Sequence, residues 1–210
     1  MAYLDFFSSL HKRTQRDYLA RVNDYPKAEA AKLAKKFDWE YWDGDRKFGY
    51  GGYTYDGRWR VVAQALVEYY QLKPGNRVLD VGCGKGFLLY DLTQVLPGLE
   101  VRGLDISEYA IEHAKEEVRP FLLGGHANAL PFEENSFDLV ISIGTLHNLH
   151  CYDLEKALKE IERVGRKHKY IAVESYRNEE EKANLLYWQL TCESFYTPEE
   201  WLWWFERCGY

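Results

Sequence analysis

No apolar run in the sequence approaches the ~20 residues that a membrane-spanning helix needs, so no membrane association is expected. The first residues, MAYLDFFSSLHKRT, lack a basic stretch followed by a long apolar one, and they do not read as a signal peptide. The sequence contains no C-x-x-C pair. Its four cysteines, Cys83, Cys151, Cys192 and Cys208, are widely spread. That excludes a small disulfide scaffold and points to reduced thiols in a cytoplasmic protein. A dense basic stripe is also missing, and the formal net charge is -6, which argues against nucleic acid as a partner. The densest positive cluster, Arg163 to Lys169 (RVGRKHK), reads as the solvated end of a helix, where cations complement the dipole. There are no repeats and no low-complexity linker. What remains is a 210-residue chain with 46% hydrophobic residues, enough for one core domain carrying an appendage.

The chain is organised around RVLDVGCGKGFLLYDL, residues 77–92. A short apolar strand with Asp80 inside it runs into a glycine-dense turn, and an apolar helical stretch begins at Phe87. Strand, glycine loop and helix together let backbone approach a nucleotide-like ligand at a helix N-terminus. The spacing matters. Gly82 and Gly84 fit the dinucleotide fingerprint G-x-G-x-x-G, but Phe87 stands where its third glycine belongs, and the glycines fall at 82, 84 and 86 instead. This weakens the reading as a nicotinamide-dependent oxidoreductase.

Around this unit the chain reads as strands alternating with helices. Expected helices cover Ala28 to Phe37 and Trp59 to Leu72, the second with Val61, Val62, Ala65, Leu66 and Tyr69 on one side. Expected strands are Glu100 to Leu104, Phe121 to Leu123, Phe137 to Ile143 and Tyr170 to Glu174. Between them, Ser107 caps a helix carrying Ala110, Ile111, Ala114 and Val118 inward, and Asp153 caps another. Asn178 with Glu181 looks like a capping box, and Thr197, Pro198 and Glu200 mark the start of another helix. Such alternation implies an α/β fold with a mostly parallel, Rossmann-like sheet and flanking helices. Residues 1–60 would form an N-terminal helical extension with a Gly/Tyr-rich segment, and residues 61–210 the main domain. In that segment, DGDRKFGYGGYTYDGRW, glycines prevent a regular helix while Tyr50, Tyr53, Tyr55 and Trp59 argue against disorder. It is either an aromatic strap packed on the core or a lid that brings Tyr50, Tyr53, Tyr55 and Arg58 to a substrate.

VLDVGCGKG resembles motif I of class I S-adenosylmethionine-dependent methyltransferases. Two further segments support the resemblance: Asp105 at the end of strand two, and GHANALPFEENSFD (residues 125–138) before strand four. The resemblance covers residues 70–176 and is to the small-molecule kind related to quinone-biosynthesis methyltransferases. It implies Gly82, Cys83 and Gly84 against the methionine part of S-adenosylmethionine, with Asp80 near the amino group. Asp105 would hold the ribose and Ile106 the adenine. Ala127 would bond the adenine through its backbone, and Ser142 would line the sulfonium. The family usually has aspartate where His126 stands; neutral histidine could accept one hydrogen bond there, or Asn128 could substitute. The family fold ordinarily ends with an antiparallel strand pair that is not found in this sequence. The expectation is therefore of a shortened chain with strand five as an exposed edge.

Methyl transfer from a sulfonium needs chiefly positioning, plus a base when the acceptor is a hydroxyl. His147 and His150, in GTLHNLHC after strand four, and Glu174 after strand five are the candidate catalytic residues. H-x-x-H-C is not a complete tetrahedral set, so no metal is expected. The motif by which many DNA, RNA and protein N-methyltransferases hold a planar nitrogen is absent; SIGT stands in its place. The expected reaction moves a methyl group to a small molecule, onto a hydroxyl oxygen, with S-adenosylhomocysteine as product. The competing reading is a non-catalytic S-adenosylmethionine-binding partner subunit. A homodimer is compatible with either.

Overall fold

The computed structural model describes residues 1–7, residue 10 and residues 23–210. Among them five parallel strands form one sheet in the order β3-β2-β1-β4-β5: β1 Arg77–Val81, β2 Glu100–Asp105, β3 Leu122–Gly124, β4 Phe137–Ile143 and β5 Gly165–Ala172. The order reverses direction between β1 and β4, and a crevice opens outside the carboxyl ends of strands at such a point.

The central strands are covered on both faces, so their sequences read as continuous apolar runs. Neighbouring residues alternate between two cores. Val78, Leu139 and Ile141 pack with Val62 and Leu66 of α3 (Arg60–Tyr70) and Leu89 and Leu92 of α4 (Phe87–Val95). Leu79, Val81 and Val140 pack on the other face with Leu154, Leu158 and Ile161 of α6 (Cys151–Val164) and Trp201 of α8 (Pro198–Arg207). Full burial of each large side chain stabilises by about 1.5–3 kcal/mol, which is why these layers fix the sheet.

Several expectations shift in detail. Helix α1 (Lys27–Ala34) stops before Phe37, which adopts φ 51° and cannot continue a right-handed helix. A single turn, α2 (Trp39–Trp42), follows, capped by Asp38. In α3 the buried residues are Val62, Ala63, Leu66 and Tyr70, while Val61 and Tyr69 face outward, so the apolar stripe sits one position later than expected. The helix capped by Ser107 is only α5 (Glu108–Glu112), although Ala114 and Val118 beyond it are buried. Helix α6 begins at Cys151, so Asp153 lies in its first turn and does not cap it.

The basic run RVGRKHK is mostly strand. Arg163 lies in the last turn of α6, and β5 starts at Gly165, five residues earlier than expected. Arg166 is answered by Asp138 at 2.7 Å and Lys169 by Glu162 at 3.0 Å, which lets an edge strand carry these charges. Asn178 caps α7 (Glu179–Trp188) through the Glu181 N–H, but the Glu181 carboxylate accepts from Arg177 and does not close a box. The Thr197–Glu200 box at α8 is complete. No strand follows β5 among the described residues, and its outer side borders a groove of about 1450 Å³ walled by Tyr69, Tyr70, Leu202 and Phe205. No helix among the described residues is long and apolar enough to cross a membrane.

Candidate active site

The glycine loop leaves β1 at Val81 and is pinned first by backbone. Gly82 and Cys83 donate their N–H groups to the Leu104 carbonyl at 2.7 and 3.2 Å, tying the loop to the end of β2. Gly82 has φ 84°, and a Cβ there would lie 1.9 Å from the Thr145 hydroxyl oxygen. Both conformation and space therefore require glycine. Asp80, buried beneath the loop, has its carboxyl raised to about 7 by burial and by the neighbouring Asp105 charge. Asp105 is 6% exposed; its carboxylate accepts from the Gly84 N–H at 2.7 Å and the Ser107 N–H at 2.8 Å. Burial raises its carboxyl, and those N–H groups act against the rise.

Above the loop lies a cavity of about 260 Å³. Asp80, Gly82, Cys83 and Gly84 form its floor. Tyr50, Tyr53, Arg58 and Trp59 come from the Gly/Tyr-rich segment, and His147, Glu174 and Trp188 close the far side. His147 is 3% exposed. Its Nδ1 accepts from the Glu174 N–H at 3.2 Å, and its carbonyl accepts from the N–H groups of Glu193 and Ser194. Burial lowers its pKa to about 4, so the ring is neutral and carries its proton on Nε2.

Other expected site residues lie elsewhere. The His150 side chain is exposed, 3.9 Å from Glu193 and stacked on Tyr152, and does not line the cavity. Tyr55 turns away, its hydroxyl donating to Asp91 of α4 at 2.7 Å. Ser142 donates to the Val81 carbonyl at 2.9 Å and clips β4 to β1 instead of facing the cavity. Arg58 reaches the cavity, but its Nε is 2.8–2.9 Å from both Asp56 oxygens. Neither Asp105 nor Ile106 lines the cavity, and Ile106 is 50% exposed. The turn holding His126, Ala127 and Asn128 adjoins the end of β2 through the Gly125 N–H to the Asp105 carbonyl. Asn128 donates to Asp153 at 2.8 Å.

The sequence reading missed Trp42, Asp43 and Lys85. The Trp42 ring packs over Gly84, where a Cβ would meet it at 2.7 Å. Lys85 sits inside the glycine triplet with its ammonium 2.6 and 2.7 Å from the two Asp43 oxygens. A lysine between two glycines was the available signal; DWEYW gave none, being read as the end of a polar helical segment. Among the described residues no group of three or more His, Cys, Asp or Glu side chains is placed to hold a metal ion.

Residues 72–209 match the family described as methyltransferase domain, and the chain belongs to that family. Among curated proteins it is 36% identical to demethylmenaquinone methyltransferase of Symbiobacterium thermophilum, over 51% of this chain and 45% of that one. The chain thus spans less than half the length of that relative. Among solved structures it resembles an S-adenosylmethionine-dependent methyltransferase of Thermotoga maritima, described as a possible histamine N-methyltransferase. That likeness has a TM-score of 0.52 and 26% identity, covering 71% of this chain and 70% of that one. The YcgJ protein of Bacillus subtilis shares the fold, with a TM-score of 0.58 and 21% identity over 70% of this chain and 67% of that one.

Family and fold imply S-adenosylmethionine as the cofactor. The residues present fit its methionine end. Asp80 offers a carboxylate to an ammonium, and the glycine loop offers close backbone. The fit at the ribose end is incomplete, since Asp105 lies outside the cavity and Trp42, bonded to Ser107, stands beside it.

Proposed function

We propose that this chain is an S-adenosylmethionine-dependent methyltransferase acting on a small molecule and delivering the methyl group to a hydroxyl oxygen. The observation that carries this reading is the two-sided cavity. Its floor is the glycine loop with Asp80, and its far wall holds His147 and Glu174. The bound cofactor supplies a methyl carbon already activated by the sulfonium. The chain's residues supply position and proton handling. With Nδ1 engaged, His147 offers the cavity a neutral N–H donor, which orients an acceptor oxygen without removing its proton. Glu174 is the residue proposed to take the hydroxyl proton; its backbone is fixed by His147 on one side and by Trp201 Nε1 at 3.0 Å on the other. With cofactor and acceptor both bound, segment 43–59 closes as the lid and Tyr50, Tyr53 and Trp59 wall the acceptor.

The test is a screen of hydroxylated metabolites with S-adenosylmethionine labelled in its methyl group, followed by mass spectrometry of the products. A labelled methyl ether is the expected outcome. Glu174→Gln should lower kcat about 10²–10⁴-fold with little change in cofactor affinity. Label on nitrogen or carbon corrects the acceptor atom. Cofactor binding without product across the panel favours a non-catalytic subunit.

A further inference from the structure

We propose that residues 38–53, as they stand, form a closed gate over the adenosyl half of the cofactor site, latched by Asp43 and Lys85, and that the cofactor binds by displacing this gate. The inference rests on the reading of the cavity as an S-adenosylmethionine site.

Three observations converge on it. The Trp42 ring lies against Gly84 and reaches Ser107, two residues past the Asp105 expected at the ribose, and Asp105 is shut off from the cavity. The ring is held from both directions, since its Nε1–H lies 3.0 Å from the Phe37 carbonyl and 2.9 Å from the Ser107 hydroxyl at the start of α5. Asp43, the next residue, then clamps the segment to the loop. Its carboxylate accepts from Lys85, from the Tyr109 hydroxyl at 2.8 Å and from the Tyr53 N–H at 3.0 Å. Lys85 also donates to the Tyr53 carbonyl at 2.9 Å, and its side chain is only 6% exposed.

Lys85 is nearly out of solvent, so removal of the Asp43 charge leaves a buried ammonium uncompensated. The latch joins the gate to the very loop that holds the cofactor, so occupancy of that loop and closure of the gate compete. Gly52, at φ 98° with nothing within 4 Å of a Cβ position, provides a joint beside the latch.

The experiment is calorimetric titration of the full chain and of Asp43→Asn and Tyr109→Phe with S-adenosylhomocysteine, alongside hydrogen exchange of residues 38–53. Asp43→Asn is expected to bind about tenfold more tightly and Tyr109→Phe about threefold, since each removes part of what the ligand must break. In the unaltered chain the ligand should speed amide exchange across residues 38–53. Equal or weaker binding by both variants overturns the gate, as does exchange that slows on binding, because the segment would then clamp the ligand. If no form binds S-adenosylhomocysteine while all melt cooperatively, the cofactor reading falls and takes the gate with it. Should Asp43→Asn not fold, Tyr109→Phe and the exchange measurement still decide the question.

Discussion

The glycine loop and the strap that covers it are held by opposite kinds of force. The loop is fixed by backbone: β1 pairs with β2 and β4, and two loop N–H groups share the Leu104 carbonyl. The strap's backbone bonds, such as Tyr50 N–H to the Tyr41 carbonyl and Gly52 N–H to the Trp42 carbonyl, run within itself, and side chains fix it to the domain. Trp42 stacks on Tyr50 at 5.3 Å, Tyr53 stacks on Phe87 at 4.9 Å, and Asp43 binds Lys85. A region built from backbone fails when a Cβ intrudes. A region built from side chains fails when a ring or a charge is lost.

The largest expected effect comes from breaking the loop by its own rule. Gly82→Ala forces alanine to φ 84° and drives its Cβ into Thr145. The left-handed conformation costs about 1–2 kcal/mol and the overpacking about 1–3 kcal/mol more. Urea unfolding should therefore show a loss of roughly 2–5 kcal/mol. Gly75→Ala separates the two parts, because Gly75 has nearly the same φ, 85°, with nothing within 4 Å. It should lose only the backbone part, about 1–2 kcal/mol. Equal losses at both positions would mean that the Thr145 contact relaxes freely.

Next in size is a pH effect at the wall where loop and strap meet. His147 has a folded-state pKa of about 4 against 6.5 for the unperturbed group, because burial disfavours the charged ring. The unfolded chain therefore binds a proton that the folded chain refuses. The stabilisation from this group is complete above pH 6.5 and is lost as pH falls from 6.5 towards 4, by about 3 kcal/mol in all. Denaturation midpoints at pH 7 and pH 5 should differ by less in His147→Gln than in the unaltered chain. An unchanged difference would show that His147 is not buried neutral.

The same contrast explains what the sequence disclosed. β4 was legible to the residue because FDLVISI is a continuous apolar run, and the glycine triplet marked the loop because backbone geometry leaves a direct imprint on residue type. β5 was misplaced because GRKHK carries charge, and its partners Asp138 and Glu162 are distant in sequence. The aromatic segment was visible, but the directions of its side chains were not. Tyr50 and Tyr53 reach the cavity while Tyr55, in the same alternation, goes to Asp91. Periodicity cannot report contacts that are made only after the layers assemble. Nor could it report that burial strips His147 of the basicity its residue type suggested, with its Nδ1 accepting from a backbone N–H.

The smallest effect tests how the strap is moored at its far end. Asp91 is fully buried on α4, and burial raises its carboxyl pKa. Its Oδ1 accepts from Tyr55, and its Oδ2 has no hydrogen-bond partner among the described residues. Tyr55→Phe keeps the ring contacts with Phe87 and Tyr90 and removes only the hydroxyl. A buried acceptor that loses its donor costs about 1–3 kcal/mol, and protonation of an already raised carboxyl offsets part of that, so about 1 kcal/mol is expected. The loss should grow as pH rises, since the stranded group must then ionise without its donor. Urea midpoints for Tyr55→Phe at pH 5 and pH 8 would show it. If the variant is indistinguishable from the unaltered chain at both, the hydroxyl is not a mooring and the strap is held at this end by its rings alone.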